Sequence, residues 1–287
     1  MKRAPERTLE HSTPGNGADK RRRGGGETVL GWARRLLLVA GLPAVLVAAW
    51  WVATAGGGSF YWPPLPTILG VFGETWFESR MVDDVLPSLL RLGVGYALAL
   101  VVGIAAGAGI GSSRTLRAVV EPVLEFFRAI PPPVLVPVLI LFAGIGDGMK
   151  VLVIVSGAVW PILLNTVEGV RSIDEVLRDT ARCYRFRRRT RLAQLVLRGA
   201  SPRIVTGARQ SLSIAIILMV IGEMFAASNG LGYSIVQFQR GFAIPQMWSG
   251  IILLGLIGVA LSLAFRIVES RVLSWHRGLR EAQRSGR

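Results

Sequence analysis

The sequence predicts an all-α membrane protein with six transmembrane helices. The first observation behind that class is composition. Of 287 residues, 51% are hydrophobic, the mean hydropathy is +0.48, and the apolar residues collect in long runs. The second is the placement of charge. Net charge is +15, yet all but five of the 33 Lys and Arg residues fall in segments that a six-span path puts on one side. Those segments are the two termini and the loops over 112–128 and 171–203. Arg80, Lys150 and Arg240 fall on the opposite side, and Arg91 and Arg209 fall within spans. Such an asymmetry marks the arginine-rich side as cytoplasmic, with both termini there. Orientation in a membrane therefore accounts for the basic charge, and nucleic acid is not an expected partner. The third observation is a basic loop between two apolar runs, Arg171 to Arg203, which holds ten arginines.

In chain order, residues 1–30 read as a disordered basic cytoplasmic tail, polar and carrying Lys20-Arg21-Arg22-Arg23. Residues 31–270 read as the membrane domain, and 271–287 as a second basic cytoplasmic tail. Leu36 to Ala55 is the first expected span, closed by the interfacial pair Trp50-Trp51. Ile68 to Asp84 carries Leu69, Phe72 and Trp76 along one side and four acids against Arg80, which predicts a short helix lying on the outer surface. Leu86 to Ile110 is the second span. Gly95, Ala99, Gly103, Gly107 and Gly111 form a stripe of small residues that lets another helix approach closely. Arg91, near its outer end, is expected to snorkel. Glu121 and Glu125 are expected to pair with nearby arginines. Three successive prolines, Pro131 to Pro133, break regular helix before a third span at Val134 to Gly146. Val151 to Val167 is the fourth span, Ile204 to Ala227 the fifth, and Trp248 to Phe265 the sixth.

The basic loop has internal pattern. Leu177, Ala181 and Tyr184 share one helical face, and Leu192, Leu195, Val196 and Gly199 share another. Two short helices joined by a basic elbow at Arg185 to Thr190 follow from that pattern. Asp179-Thr180-Ala181-Arg182, then Leu197 and Gly199-Ala200-Ser201-Pro202, resembles the EAA loop of ABC importer permeases. Pro63-Pro64-Leu65-Pro66, Arg128-Ala129-Ile130-Pro131, Phe142-Ala143-Gly144-Ile145-Gly146 and Glu223-Met224 before Gly230-Leu231-Gly232 extend the resemblance over nearly everything from Trp32 onward. Together they are similar to the branch associated with nitrate, taurine and aliphatic sulfonates.

The resemblance implies the ABC importer permease (MetI-like) fold in the plasma (inner) membrane of a prokaryote, surrounded by membrane lipid. It implies three protein partners: a cytoplasmic ABC ATPase, an extracytoplasmic solute-binding protein and a second permease copy, here a homodimer. It also implies that Asp179, Thr180, Ala181, Tyr184, Arg185, Phe186 and Arg188 form the contact with the ATPase. Arg185 stands where the family has glycine, and Arg198 where proline is usual. Glycine accepts φ > 0 freely and arginine does not, so strain is expected at position 185.

Catalytic chemistry has little material. Cys183 is alone, His11 and His276 are far apart, and no lysine sits in a phosphate-binding G-x-x-x-x-G-K-[ST] loop. No catalytic residue, metal or cofactor is expected, and ATP must be hydrolysed by another chain. Glu223 is the single acid within an apolar span, which leaves three roles open: an outer gate, a helix-packing hydrogen bond or a substrate contact. Asn165 either lines the path or caps the inner end of its span. A stand-alone secondary transporter or channel, or a membrane scaffold, are the alternatives to an importer subunit. The first would need inverted repeats, which the sequence does not display.

Overall fold

The computed structural model describes residues 41–274 apart from 58, and among them the elements are all helices. The tail at 1–30, the start of the first expected span, both histidines and the chain beyond 274 lie outside the described residues. Residues up to Ser59 form one unit and Phe60 onward another. The first contains α1 (Gly41–Thr54), a short apolar helix closed by the Thr54 hydroxyl, which donates to the Trp50 carbonyl at 2.9 Å.

The second unit contains α2 (Leu65–Trp76), α3 (Leu86–Ser112), α4 (Arg114–Ala129), α5 (Val136–Ala143), α6 (Asp147–Arg171), α7 (Glu175–Cys183), the single turn α8 (Arg188–Thr190), α9 (Arg198–Ala226), α10 (Leu231–Arg240) and α11 (Ile244–Val272). Among the described residues four continuous helices are long and apolar enough to cross a membrane: Met81–Ser112, Asp147–Arg171, Arg191–Phe225 and Ile244–Val272. A fifth crossing is broken, with Arg114–Ala129 and Pro132–Ala143 meeting at 84°.

The glycine stripe decides how the centre packs. A Cβ added at Gly95 would lie 2.8 Å from Ile154, at Gly103 2.8 Å from Ile162, at Gly107 2.6 Å from Thr166, and at Gly111 2.9 Å from Val170. Sequence numbers rise together along both helices, so α3 and α6 run parallel with their backbones in close approach. Between α6 and α9 the order reverses: Gly157 meets Leu218, and Gly169 meets Arg203. These helices are antiparallel. Two parallel spans require the chain to recross the membrane between them, and only α4 and α5 lie between α3 and α6. The bent pair is thus the return crossing. Its sixteen-residue α4 reaches about 24 Å and its eight-residue α5 about 12 Å. An apolar core joins these three helices, built from Ala99, Val153, Ile154, Ala158, Ile162, Ala215, Leu218 and Met219 among others, and the buried Thr166 and Ser211 hydroxyls beside it each donate to a helix carbonyl.

Four expectations need correction. The third span is not a continuous helix over Val134 to Gly146. Prolines 131–133 produce a 3₁₀ turn, Pro132–Leu135, and α5 has eight residues. The segment Ile68 to Asp84 is not solely a surface helix. Leu69, Phe77 and Val82 are exposed, but Ile68 and Trp76 are fully buried, and the Trp76 indole donates to Ser249 Oγ at 2.9 Å, so one face of α2 packs on α11. Arg91 does not snorkel; it is buried and ion-paired. The second helix of the basic loop is not separate. A wide turn, Arg191–Leu197, runs straight into α9. Pro202 has no N–H for the Arg198 carbonyl, and the Ser201 hydroxyl donates to that carbonyl at 2.9 Å, so the helix continues.

Candidate functional site

Three places are candidates: the elbow of the basic loop, a cavity beside α6 and α9, and a buried polar cluster at the opposite end of the bundle.

The elbow starts with α7, capped by Asp174, whose carboxylate accepts from the Val176 N–H at 2.9 Å. Ala181 is the packed residue of α7 and is buried. Leu177 and Tyr184, expected on the same face, are exposed instead, and the half-buried neighbour of Ala181 is Arg178, whose guanidinium donates to the Val170 carbonyl. After Tyr184 the chain turns sharply. Arg185 sits in the left-handed region with φ 51°. Its N–H donates to the Arg182 carbonyl at 3.0 Å, and the Phe186 N–H donates to the Ala181 carbonyl at 3.1 Å. Those two bonds define a Schellman C-cap, which normally holds glycine at this position. Arginine thus adopts the glycine conformation, and the turn keeps its shape despite the substitution. Asp179 pairs with Arg182 at 3.0 Å on the exposed side, and the Thr180 hydroxyl bonds back to the Val176 carbonyl at 2.7 Å. Tyr184 and Phe186 are 73% and 48% exposed. Arg188 opens α8.

The cavity beside α6 and α9 has a volume of about 690 Å³ and a mainly apolar lining that includes Pro132, Gly157, Trp160, Asn165, Gln210 and Ile214. Asn165 Nδ2 donates to the Pro161 carbonyl at 2.8 Å and lies 3.4 Å from Gln210 Oε1. Its side chain therefore faces this cavity with one amide turned back on its own helix. Gly157 makes the space narrow, since a Cβ there would fall 2.3 Å from Leu218 and 2.9 Å from Pro132.

Glu223 lies elsewhere, fully buried at the far end of α9 and outside this cavity. Its Oε1 accepts from Arg91 Nη1 at 2.8 Å and from the Ser88 hydroxyl at 2.7 Å, and its Oε2 accepts from the Gly232 N–H at 3.0 Å. Asp84 joins the cluster by accepting from the Gly230 N–H at 2.9 Å and the Ser234 hydroxyl at 2.7 Å. The Leu231 N–H donates to Ser88 Oγ at 2.9 Å. Three successive N–H groups at the start of α10 are therefore capped by side chains from the α3 and α9 ends. Gly230 has φ 121°, and a Cβ on it would lie 2.5 Å from the Glu223 carboxyl carbon. This explains the Gly-Leu-Gly spacing after Glu223: the backbone must come close enough to cap on the acid. Pro87 has no N–H to give the Asp83 carbonyl, and Asn229 Nδ2 donates to it at 3.3 Å. In the sequence Asp84 reads as a surface acid and Ser88 as a span residue, because the partners that bury them, Gly230 and Glu223, lie 146 and 135 positions away. The acid followed by a glycine pair was the signal that would have found them.

Among the described residues no group of three metal-ligating side chains occurs.

Comparison with known proteins places this geometry in a family. Residues 99–274 match the family described as "Binding-protein-dependent transport system inner membrane component". The taurine transport system permease protein TauC of Escherichia coli (strain K12) is 30% identical over 74% of this chain and 78% of its own length. The putative aliphatic sulfonates transport permease protein SsuC of Bacillus subtilis (strain 168) is 29% identical over 74% of this chain and 77% of its own. A chain of the MetNI methionine ABC transporter, solved in an inward-facing conformation, superposes with TM-score 0.60 at 20% identity. It covers 68% of this chain and 97% of that one, which establishes the shared fold. The chain belongs to the binding-protein-dependent transport system inner membrane components, and it is a multi-pass permease subunit of an ABC importer, a transport component and not an enzyme.

Proposed function

We propose that two copies of this chain form the membrane path of an importer for a small sulfonate or a similar anion. A cytoplasmic ATPase drives it through the elbow at Asp179 to Arg188, and an extracytoplasmic binding protein delivers the solute. Residues 31–270 are the permease domain, flanked by cytoplasmic tails at 1–30 and 271–287, with both termini inside and lipid around the bundle.

The observation that carries the coupling role is the exposure of Tyr184 and Phe186 on a turn whose backbone is held by two Schellman bonds. Exposed aromatic rings on a rigid support are the kind of anchor that dominates protein interfaces. Ala181 keeps α7 packed, and Arg185 shapes the turn. Asp179, Thr180 and Arg188 complete the contact. The elbow transmits force because the helix from Arg191 to Phe225 runs from it without a break into the core. Asn165 is a path residue in the cavity beside α6 and α9, where a facing copy would close the open side. Glu223 contributes by holding the far ends of α3, α9 and α10 together.

The test is co-purification of the ATPase with the permease, together with ATP turnover stimulated by solute-loaded binding protein in proteoliposomes. Tyr184→Ala and Phe186→Ala should each weaken ATPase retention by at least ~2 kcal/mol in binding free energy, as hot-spot aromatics do. Retention and turnover at the wild-type level in both variants would remove the elbow as the coupling element.

A further inference from the structure

The charge asymmetry leaves few cations toward the extracytoplasmic end, and all but Arg80, which pairs with Asp84, gather in one place. Arg91, Lys150 and Arg240 all line one cavity of about 620 Å³ between the start of α6 and the α9–α10 turn. Two of them are buried: Arg91 and Lys150 are 5% and 4% exposed. Both direct a donor to the same oxygen. Arg91 Nε lies 2.8 Å and Lys150 Nζ 3.3 Å from Asp147 Oδ1. Asp147 itself is 70% exposed. It sits between Gly146 and Gly148, where an added Cβ would meet nothing within 4 Å, and it follows Gly144 at φ 71°. With its side chain largely in solvent, Asp147 can turn away from both cations.

From this we infer that the cavity is an entry site for a small free oxyanion, and that Asp147 is a tethered anion which the incoming solute displaces from Arg91 Nε and Lys150 Nζ. The inference rests on the importer reading and adds a site to it.

The chemistry favours exchange over simple neutralisation. Buried cations must keep a counter-charge. Glu223 is locked beneath Arg91 by two further partners, the Ser88 hydroxyl and the Gly232 N–H, and has no exposure, so it cannot leave. Asp147 is the only one of the two carboxylates with room to move. A sulfonate, nitrate or carboxylate oxygen presents the same acceptor geometry to the guanidinium edge and the ammonium group. Once seated, it also faces the N-terminal end of α6, which favours negative charge. Arg240, exposed on α10, adds a third positive charge at the rim. Exchanging one anion for another means that no buried cation is ever bare, so solute can be received and released at low cost.

The test uses the full chain in lipid nanodiscs, without the ATPase, so its outcome does not depend on coupling. Ile145 lines the cavity and is 78% exposed. On a Cys183→Ser background, Ile145→Cys is reacted with sulfonatoethyl methanethiosulfonate and with its trimethylammonium counterpart, each rate scaled to a free thiol. The anionic reagent should react at least ~10-fold faster than the cationic one, the low end of what a cleft lined with one sign of charge produces. Added methanesulfonate should slow it. Asp147→Asn should raise the preference further, because the tethered competitor is gone, and Arg240→Gln, on an exposed rim that packing does not need, should lower it. No rise in Asp147→Asn overturns the displacement role. An absent preference, or a preference reduced by Asp147→Asn, overturns the proposal. So does a preference seen in phosphatidylcholine nanodiscs but abolished by phosphatidylglycerol, since the site would then hold a lipid headgroup.

Discussion

Arg91 Nη1 and Glu223 Oε1 lie 2.8 Å apart, joining α3 to α9 across 132 positions of sequence, with both side chains buried. Every remaining polar atom of the pair is also occupied. Arg91 Nη2 donates to Asn229 Oδ1 at 2.7 Å, and its Nε faces Asp147. A buried pair of this kind is expensive to break and cheap to replace. Arg91→Leu should therefore cost about 3–5 kcal/mol, because Glu223 would be left charged and unpaired. Arg91→Leu with Glu223→Leu should cost clearly less than Arg91→Leu alone. Thermal unfolding of the purified chain, run as a double-mutant cycle, measures both. A double variant worse than the sum of the singles would mean the cluster is held by its other hydrogen bonds and not by the ion pair.

Two glycines of α3 separate packing from backbone effects. A Cβ at Gly107 would lie 2.6 Å from Thr166 Cβ and 2.8 Å from the Leu163 carbonyl, while one at Gly109 would meet nothing within 4 Å. Gly107→Ala should destabilise by about 1–3 kcal/mol, since neither a β-branched side chain nor a backbone oxygen can yield easily. Gly109→Ala should be neutral or stabilising by up to ~1 kcal/mol from helix propensity. Equal melting temperatures for the two variants would contradict the parallel α3–α6 contact.

The stripe at 95, 99, 103, 107 and 111 was legible because its period is a property of one helix and needs no partner to be seen. The basic loop was legible for the same reason: its charge is local. What the sequence hid depends on partners far along the chain. Asp84 looked like one of four surface acids, and only α10 folding back onto it makes it a cap for Gly230. Arg91 looked like a span-end residue free to reach water until Glu223, Asp147 and Asn229 closed around it. Leu177 kept the right helical spacing but is exposed, because spacing identifies a face and not which neighbour covers it. Arg178 and Ala181 take the packed side. The prolines at 131–133 announced a break, yet the 84° bend at that break was not contained in any local rule.

Orientation can be read with cysteine labelling. Glu78 and Cys183 are both exposed. Differences in labelling therefore report the membrane and not burial. In intact cells an impermeant maleimide should modify Glu78→Cys, on a Cys183→Ser background, and should leave native Cys183 untouched until the membrane is opened. The reverse pattern would place the arginine-rich loop outside.

Arg185 supplies the sharpest test of the elbow. It holds φ 51°, a conformation that costs an L-residue with a Cβ about 1–2 kcal/mol. Glycine removes that cost but gains freedom in the unfolded chain, which returns part of the benefit. The net expectation for Arg185→Gly is a turn more stable by about 0.5–1 kcal/mol, and for Arg185→Val a turn less stable by a similar amount. Hydrogen exchange at the Arg185 and Phe186 amides measures this directly, because those N–H groups make the two bonds of the C-cap. Arg185→Gly should slow their exchange about 2–5-fold, and Arg185→Val should speed it. ATPase retention then separates shape from charge. If the backbone of the turn positions Tyr184 and Phe186, Arg185→Gly keeps the ATPase bound and Arg185→Val weakens it. Loss of the ATPase in Arg185→Gly despite slower exchange would assign the contact to the guanidinium itself, and the exposed rings would no longer be the anchor.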